Sequence, residues 1–220
     1  MVGQSLKNEV SNVEKDDFLE DLRWVQDWEG LQRIALSCRR CALRKGCTQV
    51  VFGTGYQQAK LMVIGEGPGA DEDQAGEPFV GAAGKLLDEI LKAGGFSRFE
   101  NTYIANIVKC RPPGNRVPTT TEREACLPIL RAQFRLLRPS IVLLLGATAC
   151  QAILEPNFAV TKGRGTWHEK GGTLFMPTFH PAALLRNPNW KRDVWEDLKE
   201  VVRLYREKVN PGHCPELPIL

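Results

Sequence analysis

The chain has 220 residues, 43% hydrophobic and 25% charged, with a formal net charge of +3. That length supports one domain with a substantial core and is short for two large ones. No apolar run is long enough to span a bilayer, and the small net charge permits a nucleic-acid partner only through local basic patches.

Residues 1–17 form a mixed-charge lead expected to be loosely ordered, ahead of a single domain over 18–210 and an irregular, proline-rich tail over 211–220. The polar, acidic start lacks a leader pattern, so a cytoplasmic, reducing location is expected. From Phe18 the spacing of Leu19, Leu22, Val25 and Trp28 predicts an amphipathic helix running into Leu31, Ile34 and Leu36. Leu61 to Ile64 reads as a buried strand ended by Gly65, Gly84 to Leu91 as a helix, and Thr102 to Val108 as a second strand. Arg111 to Pro118, with three prolines and a glycine, is a loop.

Thr121 and Glu124 give a capping-box signal for a helix that stops near Pro139, with Pro128 as a source of a kink or a later start. Ile141 to Leu145 is the strongest strand, Ala147 to Leu154 a short helix, Thr173 to Met176 a fourth strand, and Trp190 to Val209 a terminal helix. Apolar strands alternating with helices predict an α/β fold with a parallel sheet covered on both faces. Active sites of such sheets lie beyond the carboxyl ends of the strands.

The seven cysteines are an odd number and cannot all pair within the chain. Cys38 and Cys41 form a two-ligand knuckle, while Cys110 and Cys126 have fifteen residues between them and stand after a strand and in the first turns of a helix. In a reducing compartment such a quartet points to metal. Tetrahedral thiolate ligation suits zinc or an iron–sulfur cluster, and spacing alone does not choose. Cys47 could replace one of the four, Cys150 reads as a small buried residue and Cys214 as a free thiol.

Gly65-Glu66-Gly67-Pro68-Gly69 follows a strand as phosphate loops do, but it matches neither the dinucleotide nor the triphosphate pattern. A rigid turn carrying Glu66, with Glu72 and Asp73 behind it, suits placing a carboxylate that orients water or stabilises a cationic transition state. Phe79 could stack on a planar ring, and the Asn106 amide could read a ring carbonyl and N–H. His180, before Pro181, is the natural candidate for a catalytic or oxyanion-stabilising histidine, and Arg186 beyond it offers a phosphate contact.

The set Cys38-x2-Cys41, GEGPGADED, PFVGAAGKLLDEIL, NIVKCRPPGNR, Cys126 and FHPAALLRNP resembles the iron–sulfur type, or fourth family, of uracil-DNA glycosylases, over roughly Leu36 to Leu204. The resemblance implies a three-layer α/β/α sandwich on a four-stranded parallel sheet, with Cys38, Cys41, Cys110 and Cys126 holding a structural [4Fe-4S] cluster and zinc as the alternative. It implies Glu66 near the attacking water and the sugar, and Glu72 as a second candidate for organising water. Gly67 would approach the base, Phe79 stack on uracil, Asn106 read its edge, and His180 meet the uracil O2. Leu184 and Leu185 would fill the vacated stack, with Arg186 on a phosphate. The expected partner is uracil-containing single- or double-stranded DNA, bound by a monomer. Enzymes of this kind can engage a sliding clamp, though no segment here specifies that contact. A metal-stabilised nucleic-acid binding protein without catalysis is the competing reading. No histidine lies between Asn106 and Cys126, so turnover is expected rather than the covalent DNA trapping of a related group.

Overall fold

The computed structural model describes residues 17–214. The expected loose lead, save Asp17, and the last six residues of the tail lie outside the described residues.

Four strands run parallel in the order β3 (Thr102–Asn106), β2 (Leu61–Gly65), β4 (Ile141–Leu145) and β6 (Thr173–Thr178). Two short strands extend this core at its edges: β1 (Thr54–Gly55) pairs antiparallel with β3, and β5 (His168–Lys170) antiparallel with β6. The sheet is therefore mixed and six-stranded rather than the four parallel strands expected. Neither edge strand has an apolar run. The β5–β6 hairpin turns on Gly171 and Gly172, both with positive φ (58° and 79°), where glycine carries no steric penalty.

Side-chain alternation along the parallel strands divides the core into two faces. Met62, Ile64, Tyr103, Ala105, Val142 and Leu144 pack with Leu31 of α2 (Trp28–Ser37) and with Ile129, Leu130 and Leu137 of α6 (Thr120–Leu137). Leu61, Val63, Ile104, Ile141, Leu143 and Leu145 face Leu87 and Leu91 of α5 (Ala82–Ala93) and Leu198, Val201 and Val202 of α10 (Lys191–Lys208). Every residue of β2, β3 and β4 is buried, which is why these strands read as continuous apolar runs.

The helix expected from Phe18 to Leu36 is two helices, α1 (Asp17–Trp24) and α2. The break falls at Asp27, whose carboxylate accepts from the Gly30 N–H at 2.7 Å and caps α2. The α6 capping box is formed by Thr119 and Glu122, two residues before the expected pair, and the helix runs through Pro128. Glu122 accepts both the Thr119 N–H and a two-pronged Arg116 ion pair, which hold its carboxyl down to about 2. Pro181–Arg186 is a short helix, α9, with His180 at its N-cap. His213, placed in the tail by sequence, is buried, its Nε2 2.7 Å from Gly94 O and its ring stacked on Phe96.

Candidate active site

A cleft of about 570 Å³ opens beyond the carboxyl ends of the parallel strands. Its walls include Glu66 and Gly67 after β2, Glu72, Phe79, Asn106 at the end of β3, Thr148 after β4, and His180 and Arg186 after β6. Most of the residues singled out from the sequence therefore meet in one place, for the topological reason that all four parallel strands point their carboxyl ends at it.

Close packing dictates the local sequence. A Cβ on Gly65 would lie 2.5 Å from the Phe79 ring and 2.6 Å from Asn106 Oδ1, so only glycine lets these two side chains converge there. Phe79 is buried and has a positive φ of 58°, uncommon for a residue with a side chain. Its backbone is held by Arg98, whose guanidinium donates to Pro78 O at 3.0 Å and Phe79 O at 2.9 Å while pairing with Asp88. The Phe79 ring stacks at 5.5 Å, centroid to centroid, on His180.

The tautomer of His180 follows from its cap. The Ala182 N–H donates to Nδ1 at 3.2 Å, so the neutral ring carries its proton on Nε2 and can donate from there. Burial, followed by the Arg186 charge, lowers the His180 pKa to about 4, with Glu72 partly opposing. Asn106 is 2% exposed and its Oδ1 has no hydrogen-bond partner. Glu66 accepts a short hydrogen bond from Thr148 Oγ1.

Glu72 sits in the cleft wall with its carboxylate occupied. It accepts from the backbone N–H groups of Gly69 at 3.0 Å, Val80 at 3.0 Å and Gly81 at 2.9 Å. These bonds tie the glycine-rich turn to the Phe79 loop. Leu184, expected at the DNA, is 0% exposed and packs with Leu86, Phe179 and Val194. The first turns of α9 direct it into the core and leave Leu185, 49% exposed, on the surface.

A model of the uracil DNA glycosylase superfamily matches residues 52–199. A type-4 uracil-DNA glycosylase of Thermotoga maritima is 44% identical over 169 residues, covering 74% of this chain and 86% of the relative. The chain belongs to the type-4 uracil-DNA glycosylase family. Further type-4 relatives include one from Sulfurisphaera tokodaii, 40% identical over 80% of this chain and 84% of its own length, and one from Archaeoglobus fulgidus, 38% identical over 84% and 96%.

In this member of the type-4 uracil-DNA glycosylase family, Cys38, Cys41, Cys110 and Cys126 line one small, apolar pocket between α2, α6 and the segment after β3. Burial raises the Cys126 thiol to about 11, with Cys38 and Cys41 adding repulsion. Burial also raises Cys110, as do the hydrogen-bonded Cys47 thiol and then Cys126 and Cys41. Among the described residues no three or more His, Cys, Asp or Glu side chains form a group arranged to hold a metal ion.

Sequence reading missed Thr148, Lys109, Asn115 and Val117. Thr148 follows a strand end, where α/β sites form, and that position was its available signal. Lys109 lay hidden between two assigned residues, Asn106 and Cys110. Asn115 and Val117 belong to a loop that walls the cleft. Among the described residues no helix is long and apolar enough to cross a membrane.

Proposed function

We propose that this cleft is the uracil pocket, in which the enzyme hydrolyses the N-glycosidic bond of deoxyuridine in DNA, releasing uracil and leaving an abasic site. Kinship with this glycosylase family favours catalysis over the non-catalytic binding reading. The observation that carries the pocket assignment is the orphaned Asn106 Oδ1. A buried acceptor without a donor costs about 1–3 kcal/mol, and uracil N3–H supplies that donor while the amide N–H meets O4. Neutral cytosine presents an acceptor at N3 instead and leaves the carbonyl unpaired.

The remaining walls supply the chemistry. The target nucleotide leaves the stack at a cost of a few kcal/mol, and the Phe79 face recovers part of it. As the C1′–N1 bond lengthens, negative charge grows on the base and positive charge on the sugar. His180, neutral and protonated on Nε2, donates to the uracil O2, while Glu66 stabilises the sugar cation and orients the water that attacks C1′. Gly67 lets the backbone approach the base. Leu185 fills the gap in the stack and Arg186 contacts a phosphate. No lysine lines the cleft among the described residues, in keeping with hydrolysis without strand cleavage.

The cysteine pocket is proposed to hold a [4Fe-4S] cluster. Four thiol donors, Cys110 and Cys126 buried and Cys38 and Cys41 half-buried, line one pocket and fit its chemistry. Zinc held by the same four thiolates is the alternative. When bound, the cluster ties α2, α6 and the segment after Asn106 together.

The test uses protein purified without oxygen and a labelled oligonucleotide carrying one uracil, with thymine in its place as control. Release of free uracil with formation of an alkali-labile site is expected. No release from folded, iron-loaded protein would overturn the reading and restore the binding-protein alternative.

A further inference from the structure

We propose that Thr148 is the positioning residue for Glu66, fixing the carboxylate against the sugar. This inference rests on the catalytic reading of Glu66. Thr148 lies in the first turn of α7 (Gly146–Ile153), is 5% exposed and lines the cleft. Its Oγ1 donates to Glu66 Oε2.

The backbone brings the pair together. Strands β2 and β4 are direct neighbours, in register from Leu61–Ile141 to Ile64–Leu144. The turn carrying Glu66 therefore emerges beside the start of α7. No loop separates β4 from α7. Gly146, at a φ of 84°, makes the turn from strand to helix in one residue, and a Cβ there would lie 3.0 Å from the Cβ of His180. The same turn thus seats Thr148 on Glu66 and makes room for His180.

The hydroxyl is not needed to hold α7 in place. Ala149 and Cys150, the next two residues, are fully buried and anchor the helix in the core. What the hydroxyl adds falls on Glu66. A glutamate at the edge of an open cleft would otherwise sample several rotamers, and one bonded oxygen confines it to the orientation the reaction needs. The bond occupies Oε2 and leaves Oε1 for the water or the sugar.

The experiment compares Thr148→Val, which keeps the buried volume, with Thr148→Ser, Glu66→Gln and the Thr148→Val/Glu66→Gln double variant in single-turnover uracil release. Thr148→Val is expected to lower kcat by about 10- to 100-fold, with KM within about threefold of wild type. Thr148→Ser, which keeps the hydroxyl, should restore the rate. In the double variant the Thr148→Val defect should largely disappear, since its route to the reaction is gone. A wild-type rate for Thr148→Val beside an impaired Glu66→Gln would overturn this proposal alone, as would fully additive losses. A wild-type rate for Glu66→Gln would overturn the reading of Glu66 itself, and the Thr148 proposal with it.

Discussion

Lys109 donates from Nζ to the backbone oxygen of Asn106 at 3.0 Å, inside the protein and out of reach of water. The same ammonium donates to Gln133 Oε1 at 2.7 Å, and the Lys109 backbone N–H lies 3.3 Å from Cys126 Sγ. One residue thus braces the strand end that presents the Asn106 amide and borders the cysteine pocket. Burial lowers its pKa to about 8, with Cys126 opposing. Replacing Lys109 with Met removes a buried charge but leaves Asn106 O and Gln133 Oε1 without this donor. We expect a net loss of about 1–3 kcal/mol in urea unfolding and a raised KM for uracil DNA. Unchanged stability together with unchanged KM would show that the brace does nothing.

Glu72 offers a second test of how the pocket is held. Its carboxylate satisfies three backbone N–H groups from two loops, Gly69 on one side and Val80 and Gly81 on the other. Glu72→Ala strands all three and frees the Phe79 loop, whose backbone already carries a positive φ. The expected cost is about 2–4 kcal/mol, seen as a lower Tm. KM should rise more than kcat falls, because the pocket wall loosens while Glu66 stays bonded to Thr148. A loss confined to kcat would instead favour Glu72 as a water organiser.

The central strands and the helices packed on them were legible because burial on both faces leaves unbroken apolar runs such as Ile141–Leu145. The edge strands were not. Thr54–Gly55 and His168–Lys170 owe their conformation to pairing with a neighbour, and partly exposed polar residues carry no periodic signal. The site was legible where a residue's chemistry and its place at a strand end coincide, as for Glu66, Asn106 and His180. It was obscure where the deciding fact is a distance. Spacing does not show the three backbone partners of Glu72, Leu184 reads as exposed until α9 turns it inward, and Thr148 is an ordinary helix residue until Glu66 arrives beside it.

His180 makes a prediction with a definite sign in pH. Its pKa falls from 6.5 to about 4 in the folded protein, chiefly through burial and then the Arg186 charge. Between those values the unfolded chain binds a proton that the folded chain does not, so stability rises with pH across this window and is lost as acid is added. Above pH 6.5 the contribution is constant. The difference in urea midpoint between pH 4.5 and pH 7 should therefore shrink in His180→Asn. In the proposed mechanism a neutral imidazole with its proton on Nε2 is the working form, so activity should show no acid limb near 6.5 from this residue. Protonation of His180 near 6.5 in an NMR titration of the free enzyme would refute this.

The cysteine pocket separates Cys47 from the four proposed ligands. Cys38, Cys41, Cys110 and Cys126 line it, whereas Cys47 stands behind Cys110, with its sulfur 3.7 Å from the Arg44 guanidinium and from the Arg44 carbonyl oxygen. Cys126→Ser should lose the visible absorption and most of the about four iron atoms per chain that a single [4Fe-4S] cluster brings. Cys47→Ser should keep both. Loss of iron should also lower Tm and weaken uracil release, because Lys109 connects Cys126 to Asn106 and the wall of the uracil pocket would loosen with the cysteine loops. Iron retained in Cys126→Ser but lost in Cys47→Ser would instead place Cys47 among the ligands. Zinc in place of iron in anaerobically prepared wild-type protein would overturn the cluster assignment while leaving the uracil pocket intact.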